Sequence, residues 1–356
     1  MSVRLARLLQ RLEGEGLDSL LVSQAENRRY LSGFTGSAGY LLISPKRAVL
    51  AVDFRYVEQA SDEAPEFEVI EVKGELHKWL PSQLSDMGEE RIGFEAASLS
   101  FSSYSRLAGA AEGKFRLVPT ETLVESLRAV KEEEELASLR KVAALADAAV
   151  ENIAHALAPG ITEKEAAWRL EDYLRKAGSE SLPFDLIVAS GPNSARPHAR
   201  PTDRLIGPNE PVVIDIGARV GGYASDISRT LFWGEADETF RRVYDTVLGA
   251  QLVAIATIEA GMSGDRADRL ARTVIEEAGY GEAFGHGLGH GIGLAAHEEP
   301  RLGPSSDTVL AEGMAFTIEP GIYLPGWGGV RIEDMVVLER GRAIPLTRAK
   351  KTGEAT

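Results

Sequence analysis

Asp215 stands inside "VVIDIGA", an apolar β-strand in which a lone carboxylate would be expensive to bury. The fold is obliged to bring something to that charge. Downstream, "RVGGYASDISRTLFWG" offers a turn at Gly221 and Gly222 and then Asp226, eleven residues after Asp215, so folding this hairpin sets two acids on neighbouring strands. A second stretch, "MAFTIEPGIYLPGWGGVRIEDMVVLE", repeats the pattern. Glu319 lies there between an apolar strand and a proline, and Glu333 follows fourteen residues later, beyond a Pro-Gly-rich loop. Each stretch predicts two strands around its turn, and the two hairpins read as a degenerate internal repeat because each carries acids on both arms. Asp334 should point to the face opposite Glu333 and is read as non-ligating.

Acids gathered in this way repel one another unless a proton or a cation intervenes. The chain has no cysteine, so it can form neither a disulfide framework nor a thiolate site, and any metal must be held by His, Asp or Glu. Three of its six histidines, His286, His290 and His297, fall within "FGHGLGHGIGLAAHEEPR" at residues 284–301, among glycines that let backbone pass close to a site. Four carboxylates and one neutral imidazole carry about −4, a charge that two divalent ions cancel. Any one of these acids alone is more often structural; five candidate ligands in glycine- or apolar-flanked contexts are harder to read as solvated surface. His77 and His155 stand on helix-like segments without partners and are read as surface or packing residues.

At 356 residues the chain exceeds the usual size of a single core, which predicts two domains. Hydrophobic residues at 44% and charged residues at 26% are ordinary for a globular protein. The formal charge of −15, with no basic run, argues against nucleic-acid or anionic-membrane partners. The opening "MSVRLARLLQRLEGEGLDSLLV" reads as an amphipathic helix and not as a secretory signal, and no apolar run is long enough to span a bilayer, so a cytoplasmic protein is expected. The first third alternates helical and strand signals, including "SLLVS" and "GYLLISPKRAVLAVD" with its Pro-Lys-Arg turn. The expected fold is α/β (α+β), with a small α/β domain over residues 1–124 and a second domain over 125–356 that opens on a linker helix at about 125–157. The glutamates at 132–135 are read as a solvated first turn favoured by the helix dipole. Thr162 is a plausible N-cap, Gly178 a stop, and two further helices are expected across 238–279.

Taken together these residues resemble the pita-bread metallopeptidases, which include methionine aminopeptidase, prolidase and aminopeptidase P, with the metal-free creatinase as a relative. The resemblance covers nearly the whole chain. It joins a creatinase-like amino-terminal domain, carrying "LSGFTGSAGYLLIS" and "AVDFRYVEQA", to a pita-bread catalytic domain with the ordered set Asp, Asp, His, Glu, Glu. It implies that Asp215, Asp226, His290, Glu319 and Glu333 are metal ligands, with Asp226 and Glu333 bridging two divalent ions, manganese first and cobalt, zinc or iron as alternatives. It further implies that His198, in "SGPNSARPHARP", His286 and His297 face the substrate, with His297 and His198 stabilising an oxyanion or orienting the peptide. Glu319 is the candidate proton acceptor. Arg331, on the same strand face as Glu333, is expected to anchor the site.

Within the family, a creatinase-like domain favours Xaa-Pro peptidases over methionine aminopeptidases. The segment "HEEPRL" is similar to prolidases, where Arg301 would pair with the free carboxylate of a dipeptide. A prolidase is therefore expected. The alternatives are aminopeptidase P acting on longer peptides, a non-catalytic peptide-binding module, and a metal-free creatinase-like amidinohydrolase, against which the intact ligand set argues. The expected partners are a proline-containing di- or oligopeptide and, by resemblance, a second copy of the chain in a homodimer.

Overall fold

Leucines spaced three to four residues apart in the opening segment form one face of helix Val3–Gly14, which buries Leu5, Leu8 and Leu12. The Ser2 hydroxyl caps it by accepting from the Leu5 N–H at 3.3 Å. The structure is a computed structural model that describes residues 2–88, 90–111, 113–156, 159–352 and 354–355. The chain divides into two units, Met1–Arg128 and Ala129–Thr356.

In the first unit the strands are β1 (Ser19–Val22), β2 (Tyr40–Ile43), β3 (Ala48–Val52), β4 (Glu68–Glu71), β5 (Arg91–Glu95) and β6 (Arg116–Thr120), forming one sheet in the order β4-β3-β2-β1-β5-β6. The Pro-Lys-Arg turn closes the β2–β3 hairpin as expected, with the Ser44 N–H donating to the Arg47 carbonyl at 2.9 Å. The β3–β4, β1–β5 and β5–β6 pairs are parallel, the mark of an α/β unit. His77 is not without a partner, because its Nδ1 lies 3.5 Å from Glu75 Oε2 just ahead of helix Leu76–Met87. The His155 side chain lies outside the described residues.

The second unit contains β7 (Ile187–Ser190), β8 (Pro211–Ile216), β9 (Arg219–Val220), β10 (Tyr223–Ala224), β11 (Ile227–Trp233), β12 (Gly289–Gly291), β13 (Glu298–Leu302), β14 (Ala315–Ile318), β15 (Gly321–Leu324), β16 (Gly328–Arg331), β17 (Asp334–Glu339), β18 (Arg342–Pro345) and β19 (Glu354–Ala355). They form sheets β19-β11-β8-β7 and β13-β12-β14-β17-β18 with two short ladders, β10-β9 and β15-β16. Successive residues of a strand face opposite ways, and both faces are covered here. Met335 and Val337 pack with helices Glu133–Ala156 and Glu163–Lys176, while Val336 and Leu338 pack with helices Glu238–Thr257 and Gly264–Glu277. That is why β17 reads as an unbroken apolar run. Among the described residues no helix is long and apolar enough to cross a membrane.

Two expectations are corrected. Each predicted hairpin is two ladders with a break between them. Pairing in the second stops at Ile318↔Asp334 and resumes at Gly321↔Arg331, so Glu319 and Glu333 sit in the gap beside Pro320, which has no N–H to give a ladder. The first hairpin breaks likewise after Ile216↔Ile227, and Asp226 lies in that break. In the expected solvated turn, Glu133 and Glu134 are exposed but Glu135 is buried. Its carboxylate turns back to accept from the Glu132 N–H at 3.0 Å and also takes the Tyr223 hydroxyl at 2.8 Å.

Candidate metal centre

The residues read from the sequence as ligands, catalytic groups or substrate contacts line one cavity of about 630 Å³ within the second unit. Asp215 projects from β8 opposite Ser228 of β11. Its Oδ2 accepts from Arg331 Nη2 at 2.6 Å, and its Oδ1 has no hydrogen-bond partner. Glu333 is tied by its backbone N–H to the Ser228 carbonyl at 3.0 Å, and its Oε2 accepts from the Ser228 hydroxyl at 2.8 Å, leaving Oε1 without a partner. Asp226 likewise keeps a buried Oδ1 that nothing satisfies. Buried carboxylate oxygens without donors are costly, and three of them converge here.

The glycines around His290 have a steric cause. A Cβ at Gly289 would lie 2.0 Å from the Thr317 carbonyl oxygen, and one at Gly291 the same distance from that of Glu299. Only a side-chain-free backbone lets β12 fit between its neighbours. His290 Nδ1 lies 3.1 Å from the Gly291 carbonyl oxygen, which can only accept, so Nδ1 carries the proton in that bond. Nε2 then faces the acids, 3.2 Å from Glu319 Oε1 and 3.7 Å from Asp226 Oδ2. Single atoms of Asp226, His290 and Glu333 lie within 4.8 Å of one another, a group able to hold a cation. Asp215 and Glu319 lie in the same cavity but outside that trio, the first drawn toward Arg331 and the second toward His290.

Electrostatically the cluster is overfilled with negative charge. Burial, followed by the charges of Glu333, Asp215 and Glu319, pushes the Asp226 carboxyl well above its ordinary range. Burial and the charges of Glu319 and Asp215 do the same to Glu333. Glu319 goes the other way: burial opposes ionisation, but the hydrogen bond and charge of His290 hold it down at about 2. Burial would lower His290, and Glu319 reverses the sign and raises it. An oxygen-rich, one-histidine set with orphaned oxygens and mutual repulsion fits divalent cations.

The remaining predicted residues form the walls. Arg331 is 3% exposed, and besides Asp215 it donates to the Ser228 hydroxyl at 2.8 Å, the Tyr323 hydroxyl at 3.0 Å and the Pro197 carbonyl at 3.1 Å. Its guanidinium thus makes four hydrogen bonds in the cavity wall. His286 is engaged as well, through Nε2 to the Tyr323 hydroxyl at 3.0 Å and Nδ1 to the Gly287 carbonyl at 2.8 Å, and burial lowers its pKa. His297 is exposed with its ring 4.1 Å from that of His290, and burial together with His290 lowers it. His198 and Arg301 are exposed at the cavity, and the Arg301 guanidinium makes no hydrogen bond or ion pair with another described residue. Asp334 turns away from the cavity to Arg229, Gln251, Thr347 and Lys351.

Sequence reasoning missed Tyr323, Ser228 and Thr317, the residues that hold Arg331, Glu333 and Glu319. A hydroxyl on a strand has no distinctive pattern. Also missed was the Asp268–Arg272 pair on helix Gly264–Glu277, which grips the histidine segment. Arg272 donates to the Phe284 and His286 carbonyls at 2.8 and 2.7 Å, and Asp268 accepts from the Leu288 N–H at 2.9 Å.

Comparison with known proteins is consistent with this geometry. Residues 137–340 match the model of metallopeptidase family M24, and residues 4–130 match that of the creatinase/prolidase N-terminal domain. The chain is 35% identical to the Xaa-Pro dipeptidase of Pyrococcus horikoshii over 99% of its length and 98% of that protein. Among solved structures it is similar to an Xaa-Pro dipeptidase from Bacillus anthracis, with 44% identity, a TM-score of 0.95 and 98% of each chain covered. It is also similar to an X-Pro aminopeptidase from Thermotoga maritima, with 38% identity, a TM-score of 0.89 and 98% of each chain covered.

Proposed function

The chain belongs to metallopeptidase family M24, in its Xaa-Pro peptidase branch, and from that premise we propose that it hydrolyses Xaa-Pro dipeptides as a prolidase, at a centre of two divalent metal ions. The observation that carries the metal reading is the set of three buried carboxylate oxygens, on Asp215, Asp226 and Glu333, that have no hydrogen-bond donor. Asp215, Asp226, His290, Glu319 and Glu333 would hold the ions, and manganese is the first candidate. When bound, the ions supply Lewis-acid polarisation of the scissile carbonyl and a water acidic enough to attack near neutral pH.

The chain's own residues do the rest. Glu319 is the proposed acceptor of the attacking water's proton, which it passes toward the leaving nitrogen of proline. His297 and His198 at the open side of the cavity donate to the oxyanion or orient the peptide. Arg331 fixes the Asp215 carboxylate through Oδ2 and leaves Oδ1 without a donor, available as a ligand. His286 buttresses Tyr323, which in turn meets Arg331. The Arg301 guanidinium is the proposed handle for the dipeptide carboxylate. A homodimer and a cytoplasmic location complete the proposal, both supported by the family resemblance.

The likeness to an X-Pro aminopeptidase keeps one second reading, cleavage of longer Xaa-Pro peptides. Hydrolysis of Ala-Pro, Ala-Pro-Ala and Ala-Ala by chelator-stripped protein, with and without added manganese, cobalt or zinc, decides between them. Metal-restored cleavage of Ala-Pro alone is the expected result. Preference for the tripeptide makes the chain an aminopeptidase P, and no cleavage with any metal leaves a peptide-binding module. For Arg301→Ala, KM for Ala-Pro is expected to rise by about tenfold or more, the worth of a charge-assisted hydrogen bond, with little change for Ala-Pro-Ala. Equal effects on both peptides would reject the carboxylate handle.

A further inference from the structure

Helix Glu163–Lys176 begins with a glutamate that faces inward. Glu163 is 0% exposed, and both of its oxygens are saturated by donors from one stretch of chain. Oε1 accepts from the N–H and hydroxyl of Ser190 at 2.7 and 2.9 Å, and Oε2 accepts from the N–H and hydroxyl of Thr202 at 3.0 and 2.6 Å. The Asn193 amide donates to each oxygen at 3.1 Å. Burial opposes ionisation, yet the donors from Thr202, Ser190 and Asn193 hold the carboxyl below its ordinary value. Its place at the positive end of the helix dipole acts in the same direction.

Ser190 closes β7 and Thr202 lies twelve residues on, so a single carboxylate clamps both feet of the intervening segment. That segment carries Pro197, whose carbonyl takes Arg331 Nη1 at 3.1 Å, and His198, which lines the cavity. His198 is exposed, so its aim at the cavity depends on how the backbone beneath it is held. A donor directed at developing charge contributes only when it is preorganised, and a misplacement of about 1 Å costs up to about 10²-fold in rate.

We infer that Glu163 is a positioning residue for hydrolysis: by tying Ser190 and Asn193 to Thr202 it holds His198 and the Pro197 carbonyl against the candidate metal centre. The inference rests on the reading of His198 as a substrate-facing donor. Neither Glu163 nor Thr202 touches the cavity itself.

The test measures kcat and KM for Ala-Pro with the metal-loaded full chain carrying Glu163→Gln or Thr202→Val, each alone and combined with His198→Ala. Gln keeps the size of Glu but turns an NH2 toward a site where a backbone N–H and the Asn193 amide already donate, and Val removes one hydroxyl with little change of shape. Glu163→Gln is expected to lower kcat/KM by about 10- to 100-fold, and Thr202→Val by less, chiefly through kcat and with the metal concentration for half-activation unchanged. In the His198→Ala background each is expected to cost no more than about twofold, because the group they position is gone. Undiminished losses in that background, or a lowered Tm with unaltered kcat/KM, would overturn the inference while leaving the role of His198 standing. Full activity of His198→Ala by itself would instead remove the reading of His198 and the inference with it. Thr202→Val serves where Glu163→Gln does not fold.

Discussion

Asp226→Asn is expected to lower metal-dependent kcat/KM by more than about 10²-fold, beyond what losing a group that merely supports a ligand costs, while the fold is retained. Two observations set the size and sign of the effect. Asp226 is 5% exposed with one carboxylate oxygen unsatisfied, and burial together with Glu333, Asp215 and Glu319 pushes its pKa well up. Removing that charge therefore relieves repulsion in the metal-free protein, and the stripped variant should melt no lower than the stripped parent. The difference appears on adding metal. Free metal at one hundred times Kd stabilises the parent by about 2.7 kcal/mol, and that rise in Tm should be lost in the variant. Full metal-dependent turnover by Asp226→Asn would sink the ligand assignment, and a lower Tm of the stripped variant would make Asp226 a structural acid.

Asp334→Ala, one residue from Glu333, should do the opposite and destabilise the protein by about 3–5 kcal/mol, the cost of leaving a buried charge uncompensated. The Asp334 side chain is 1% exposed. Its Oδ1 accepts from Arg229 Nη2 at 2.8 Å and the Thr347 hydroxyl at 2.9 Å, and its Oδ2 from Gln251 Nε2 at 2.9 Å and Lys351 Nζ at 2.5 Å. Arg229, 1% exposed, also donates to the Glu333 and Ser228 carbonyls, so the ion pair braces the backbone behind the cavity. Burial opposes ionisation of Asp334, and the charges of Arg229 and Lys351 overcome it and hold the carboxyl below its ordinary value of 3.8. The stability it confers is thus present above that ordinary value and is lost as pH falls through the lower folded one. Urea denaturation at neutral pH should show a reduced midpoint at unchanged slope. A loss below about 1 kcal/mol, the range of an exposed pair, would reject this account.

Asp215, Asp226, Glu319 and Glu333 stood out in the sequence because a carboxylate within or directly beside an apolar strand contradicts its surroundings, and the few residues on either side carry that contradiction. His290 was legible for a related reason: β12 needs glycine on both sides of it to pass its neighbours, and glycine leaves a mark. Tyr323, Ser228 and Thr317 leave none, because hydroxyl-bearing residues are equally at home in any strand. Glu135 was misread for want of a partner that lies in the fold, Tyr223, whereas His77 is the surface residue it was read as, with Glu75 beside it.

Strand and helix periodicity, the need for a cation and the residue types able to hold it were therefore determined by the sequence alone, since each follows from the cost of burying particular groups within a few residues of one another. Tertiary structure decided which partners each group meets. It broke both hairpins where the acids lie, set Asp215 against Arg331 and Asp334 against Arg229, and put Glu163 beneath the segment that bears His198. Those pairings join positions far apart in the chain, and the energies that select them arise only when the two sheets and their helix layers close and exclude water from between them.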